Sequence, residues 1–266
     1  METTYSSPFA VVTGASSGIG LELAKVFAEH GYDVLMTAED EGIEDAAQRV
    51  RGFDVSATTF RADLASPDGV QRLYDRIGAM GRPVDVIAIN AGVGVGGPFV
   101  ETDIEKELNL IKLNVLSTVH LAKLVLRDMS ARNEGRVLFT SSIAADMPAP
   151  FEAVYGASKA FVQSFAEALR NELKDTHITV TALQPGATET NFFRRAEMED
   201  TKVGAGKKDD PADVARDAYK ALMAGKDHVV AGSVKNKVQD TLAKFASEKT
   251  SAQLHRKQSE PGSARE

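Results

Sequence analysis

The short run Phe9–Thr13 (F-A-V-V-T) leads without a break into Gly14-Ala15-Ser16-Ser17-Gly18-Ile19-Gly20, and then into a helical apolar pattern through Leu21, Leu23, Ala24 and Phe27. A strand with no polar alternation is buried on both faces, which is the condition of a parallel sheet covered by helices. A glycine turn between such a strand and a helix leaves free backbone N–H groups and the positive end of the helix dipole facing one point, and glycine lets a pyrophosphate approach the backbone. This start predicts an α/β fold with a dinucleotide held by Gly14, Ser16, Ser17, Gly18, Ile19 and Gly20, the plainer alternative being a glycine turn that only packs strand on helix. Its spacing is G-x-x-x-G-x-G rather than G-x-G-x-x-G.

A second stretch, Ser142–Lys159, carries Tyr155 and Lys159 four residues apart on what reads as a helix over 152–174. Residues so spaced share a face. A fixed ammonium near a phenol favours the phenolate and lowers its pKa, which would fit Tyr155 for general acid or base work. Taken alone, the pair equally describes a half-buried aromatic beside a solvated charge.

Thr13-Gly14-x-x-x-Gly18-Ile19-Gly20 together with Tyr155-x-x-x-Lys159 resembles the short-chain dehydrogenase/reductase family, over roughly residues 8–232. The resemblance implies a Rossmann-type, doubly wound three-layer sheet of seven parallel strands in the order 3-2-1-4-5-6-7. It implies an oxidoreductase, a ketoreductase or alcohol dehydrogenase, that uses NAD(P)(H) on a carbonyl or secondary alcohol. Asn114, Ser142, Tyr155 and Lys159 match the family's catalytic set. Asp63 and Leu64 match its adenine-side segment. Asn90-Ala91-Gly92 matches its N-N-A-G segment, with Ile89 in place of the first Asn. Pro185, Gly186 and Thr188 match the segment lining the nicotinamide. An acid at the end of the second strand accepts from a ribose 2′-hydroxyl, whereas a 2′-phosphate calls for Arg or Lys; Glu39, followed by Asp40, therefore favours NAD(H), while the family's usual aspartate position holds Ala38. Arg61 is the basic residue that could overturn that preference.

Five histidines (30, 120, 177, 228 and 255) lack metal-ligand spacing, and no cysteine is present, so disulfides and thiolate catalysis are excluded. A net charge of −7 argues against nonspecific nucleic-acid or anionic-membrane binding. No run of 18 apolar residues and no signal-peptide pattern is seen, so a cytoplasmic location is expected. A single catalytic domain is expected over 1–246, with a mobile, irregular lid at about 189–210 and a helix over 234–246. A polar, flexible tail is expected over 247–266. Two further helices are expected, 101–108 and a long one to about Met129, and the resemblance implies a homotetramer or homodimer through long helices. Met147, Pro148, Phe151, Phe192 and Phe193 point to an apolar or aromatic-bearing substrate. Two rivals share some of these features: a regulatory protein that only binds NAD(P), and an epimerase or dehydratase of the related longer branch. The latter carries an added C-terminal domain, for which about 30 residues leave little room.

Overall fold

A computed structural model describes residues 7–232 and 247–265. The helix expected over 234–246 lies outside the described residues. Seven strands, β1 (Phe9–Thr13), β2 (Asp33–Ala38), β3 (Ala57–Arg61), β4 (Val86–Ile89), β5 (Gly135–Thr140), β6 (Ile178–Pro185) and β7 (His228–Ala231), form one sheet in the order β3-β2-β1-β4-β5-β6-β7. All pairings are parallel; Phe9 to Thr13 lie opposite Asp33 to Thr37, and Ala10 to Val12 opposite Val86 to Ala88.

Alternate residues of each strand feed opposite layers, as a period of two requires. Ala10, Val12, Val34, Met36, Val86 and Ala88 pack under α1 (Gly18–Glu29), α2 (Gly42–Val50) and α9 (Pro211–Met223). Val11, Leu35, Ile87, Val137 and Phe139 pack under α3 (Pro67–Ala79), α5 (Ser117–Arg132) and α6 (Ala153–Glu172). Because β1 reverses neighbours, with β2 on one side and β4 on the other, the C-terminal strand ends open a crevice there, where such sheets bind ligands.

Three expectations are corrected. The two helices expected between 101 and 129 are one continuous run: α4 (Ile104–Ile111) passes through a π-helical turn, Lys112–Leu116, into α5. No turn residue breaks the apolar pattern, and π turns recur at functional sites; this one carries Asn114. The run Ile104–Arg132 is apolar and long enough to cross a bilayer by composition, but its Leu110, Leu121, Val125 and Met129 are buried in the fold, the behaviour of a core helix. The region 189–210 is not wholly irregular, holding the short helices α7 (Phe192–Arg195) and α8 (Lys202–Ala205). The polar tail expected over 247–266 holds a helix, α10 (Glu248–Ser259), capped by Ser247 and followed by a 3-10 turn at Ser263–Arg265. Its sequence looked like a tail because it is mostly polar; its contacts with Glu152 are hydrogen bonds, which leave little apolar period to read.

Candidate active site

The glycine turn is held in a shape that few other residues could adopt. Gly14 and Gly18 have φ of 65° and 57°, and a Cβ on Gly20 would overlap the Gly14 carbonyl oxygen. Ser17 stands at the N-cap of α1 in extended conformation, and its side chain caps none of the helix's first N–H groups. Those donors therefore remain available to an anion, as helix N-termini leave them. Thr13 braces the crevice floor: its hydroxyl accepts from the backbone N–H of Asn90 at 2.9 Å and of Ala91 at 3.0 Å. The Asn90 amide donates to the Thr13 carbonyl at 3.0 Å and accepts from the Thr140 hydroxyl at 3.0 Å, tying the tips of β1, β4 and β5 together.

One cleft of about 540 Å³ runs over these strand ends. Gly14 and residues 16–20 line it, as do Glu39, Leu64, residues 90–92, Pro185, Gly186, Thr188, Ser142, Tyr155 and Lys159. Two expected residues lie elsewhere. Asp63 is exposed and its carboxylate accepts from the Ala65 N–H at 2.8 Å, so it shapes the turn before α3 while its neighbours Ala62 and Leu64 face the cleft. Asn114 lies just behind the cleft wall, 1% exposed. Its amide accepts from the Val93 N–H at 3.0 Å and donates to the Val93 carbonyl at 2.9 Å and to Ser158 Oγ at 3.0 Å. A Cβ on Gly92 would lie 3.1 Å from Asn114 Oδ1 and 3.2 Å from Lys159 Nζ, so the glycine lets both groups approach one strand end.

At the end of Ile178–Pro185, Thr188 donates to the Gly186 carbonyl at 2.9 Å and so closes the turn. At the end of β2, Ser16 donates to Asp40 at 2.8 Å, and Asp40 is 4.0 Å from Arg195. Arg61 is spent locally, donating to the Glu39 carbonyl at 2.7 Å and pairing with Glu41 at 3.0 Å.

Helix α6 presents Tyr155 and Lys159 to the cleft, both nine-tenths or more buried. The Lys159 ammonium is 5.8 Å from the Tyr155 ring centre and donates to the Thr140 carbonyl at 2.9 Å. Burial pushes Lys159 down to about 8. Burial also pushes the Tyr155 phenol well above its ordinary value, with the Glu152 carboxylate adding to the rise and a hydrogen bond with Ser142 opposing it. Desolvation of the phenolate is thus the largest influence on Tyr155 and opposes the depression expected from Lys159. Ser142, at the foot of a 3-10 turn, also accepts from the Ala144 N–H at 3.1 Å. Ser141 points away, donating to the Lys159 carbonyl at 2.9 Å.

Sequence reasoning gave no bracing role to Thr13, Thr140, Ser158 and Glu152. The first two stand at the ends of apolar strands, where a polar residue facing the crevice is a signal that could have been used. Met147, Phe192 and Phe193 line the cleft as expected, whereas Pro148 and Phe151 do not.

A glycine cradle at the crevice of a parallel sheet, facing a buried Tyr–Lys pair, defines a dinucleotide-dependent oxidoreductase. The chain belongs to the short chain dehydrogenase family, whose sequence profile matches residues 8–201. It is 32% identical over 215 residues to an uncharacterized oxidoreductase of Staphylococcus saprophyticus, covering 80% of this chain and 90% of the relative. It resembles the solved short-chain dehydrogenase of Sphingobium yanoikuyae in complex with NADPH (TM-score 0.78, 28% identity, 84% of this chain and 87% of that one). It also resembles the bulky-bulky ketone specific alcohol dehydrogenase of Comamonas testosteroni (TM-score 0.75, 25% identity, 90% and 92%). Members act on CH–OH and C=O groups with NAD(P).

Proposed function

We propose that this enzyme interconverts a bulky, apolar ketone and its secondary alcohol, and that the buried grouping of Ser142, Tyr155 and Lys159 at one strand end performs the proton chemistry. The convergence of Ser142, Tyr155 and Lys159 on one cleft at the strand ends, with Met147, Phe192 and Phe193 beside them, carries this reading. NAD(P)(H) would supply or accept the hydride, and the glycine cradle, residues 90–92 and the 185–188 turn would hold it. Ser142 Oγ holds the substrate oxygen. Tyr155 Oη gives that oxygen a proton in reduction and takes it in oxidation. Lys159 would hold the ribose hydroxyls, and its ammonium would favour the Tyr155 phenolate. Asn114 keeps the Val93 loop and Ser158 in register behind them. Met147, Phe192, Val203 and Leu254 give the substrate side an apolar lining, and the Comamonas relative is described as acting on bulky ketones. With a panel of aryl and bulky alkyl ketones set against polyanionic carbonyl compounds, the ketones should turn over. Tyr155→Phe should lower kcat by a factor of about 100 or more with cofactor binding kept within twofold. Near-normal turnover by that variant would sink the assignment.

NAD(H) is the preferred cofactor in this reading, because Glu39 and Asp40 stand where the adenosine ribose is read and Arg61 is already committed to Glu41 and the Glu39 carbonyl. Titration of nicotinamide fluorescence should show NADH binding at least about tenfold tighter than NADPH, or about 1.4 kcal/mol. Tighter NADPH binding would reject the preference and point to Arg195, which lies 4.0 Å from Asp40. The enzyme further works as a homodimer or homotetramer, joined through the helical run 104–132 and α6.

A further inference from the structure

The C-terminal segment touches two separate parts of the cleft. On α10, His255 Nε2 lies 3.1 Å from Glu152 Oε2, and Ser259 Oγ donates to the same oxygen at 2.9 Å. Glu152 is the N-cap residue of α6, three positions before Tyr155, and its side chain makes no cap hydrogen bond. The Glu152 and His255 side chains are 7% and 12% exposed. One residue along, the Arg256 guanidinium sits 4.9 Å from the ring centre of Phe151, a non-glycine residue held at a φ of 67°. Beyond α10, the Gly262 N–H donates to the Asp200 carboxylate at 2.8 Å, the Ala264 N–H donates to the Asp200 carbonyl at 2.9 Å, and Ser263 Oγ accepts from the Lys202 N–H at 3.1 Å. Leu254, His255 and Gln258 line the cleft.

We propose that segment 248–265 is a strap that fixes the lid helix α8 to the start of the catalytic helix and forms the substrate-side wall of the cleft, with His255 and Ser259 as positioning residues acting through Glu152. A buried carboxylate is tolerated only with partners that replace its water, and here the partners come from a segment more than 100 residues away in sequence. Glu152 therefore serves the strap instead of capping its own helix. The strap sets how large a substrate fits, because Leu254 and Gln258 reach the cleft only while His255 and Ser259 hold α10 down.

This assignment rests on the oxidoreductase reading for its kinetic arm, and the two arms separate the failures. In the full-length protein, His255→Ala combined with Ser259→Ala should raise amide hydrogen exchange across 248–259 by about tenfold or more. Exchange in β1, β4 and β5 should stay unchanged, and cofactor affinity should stay within twofold. For the ketones that wild type reduces, KM for the bulkiest should rise at least fivefold with kcat within threefold, while KM for the smallest should move less than twofold. Glu152→Gln, which keeps an oxygen acceptor for both groups, should retain most of the exchange protection. Unchanged exchange in the double variant overturns the strap. Raised exchange with uniform KM overturns its role in size selection. If no carbonyl compound is turned over, the oxidoreductase reading fails while the exchange result still decides the strap.

Discussion

Lys159 is a cation that the fold buries beside a carbonyl oxygen, and this has a measurable sign. Its pKa falls from the ordinary lysine value of about 10.4 to about 8 in the folded chain. Between those values the unfolded chain binds more protons than the native one, so this residue's contribution to stability rises with pH from about 8 to 10.4. Below about 8 the ammonium is charged in both states and the full cost of burying it is present. The stability difference between wild type and Lys159→Met, from urea unfolding at several pH values, should shift in favour of wild type across that window. Its slope is limited to about 1.4 kcal/mol per pH unit. A flat difference would mean that the native lysine titrates like a solvated one. Tyr155 moves the other way for the same reason: burial disfavours its charged form and raises its pKa.

Among the elements, those that bury apolar strands were readable and those that make polar contacts were not. The central strands announce themselves as short apolar runs, such as Phe9–Thr13 and Val86–Ile89, and the observed β1 and β7 have the expected bounds. The turn 14–20 was legible because glycine leaves a mark where other residues leave several readings. Tyr155, Lys159 and Ser142 were legible through spacing and position at a strand end. Asp63 was ambiguous because a turn-capping aspartate and a ligand-facing one leave the same letter in sequence, and its turn contact is the one seen. The π turn at Lys112–Leu116 was invisible, since one extra residue in a turn alters no periodicity over so short a span. Glu152 was passed over because its partners, His255 and Ser259, are joined to it only by the tertiary fold.

At the scale of the whole molecule, Leu116, Val119 and Phe161 are 58%, 36% and 41% exposed on the outward side of the π turn, α5 and α6. Phe161 stacks on Phe165, with centroids 5.8 Å apart. Apolar side chains this large on adjoining helices fit an interface between copies, and a stable one buries about 1,600 Å² in total. Light scattering after size-exclusion chromatography should give a dimer or tetramer, and Leu116→Glu with Phe161→Glu should shift it towards monomer with little loss of helical signal. A wild-type monomer at micromolar concentration would refute this. The sheet and its glycine cradle are complete within residues 9–231, and segment 248–265 adds no strand to them. During synthesis the cofactor half can therefore reach its native form before the strap has left the ribosome, since chains fold from the N-terminal side. The same separation makes substrate choice a detachable trait. Exchanging the strap for another would redirect which alcohol is oxidised while leaving the inherited hydride chemistry in place.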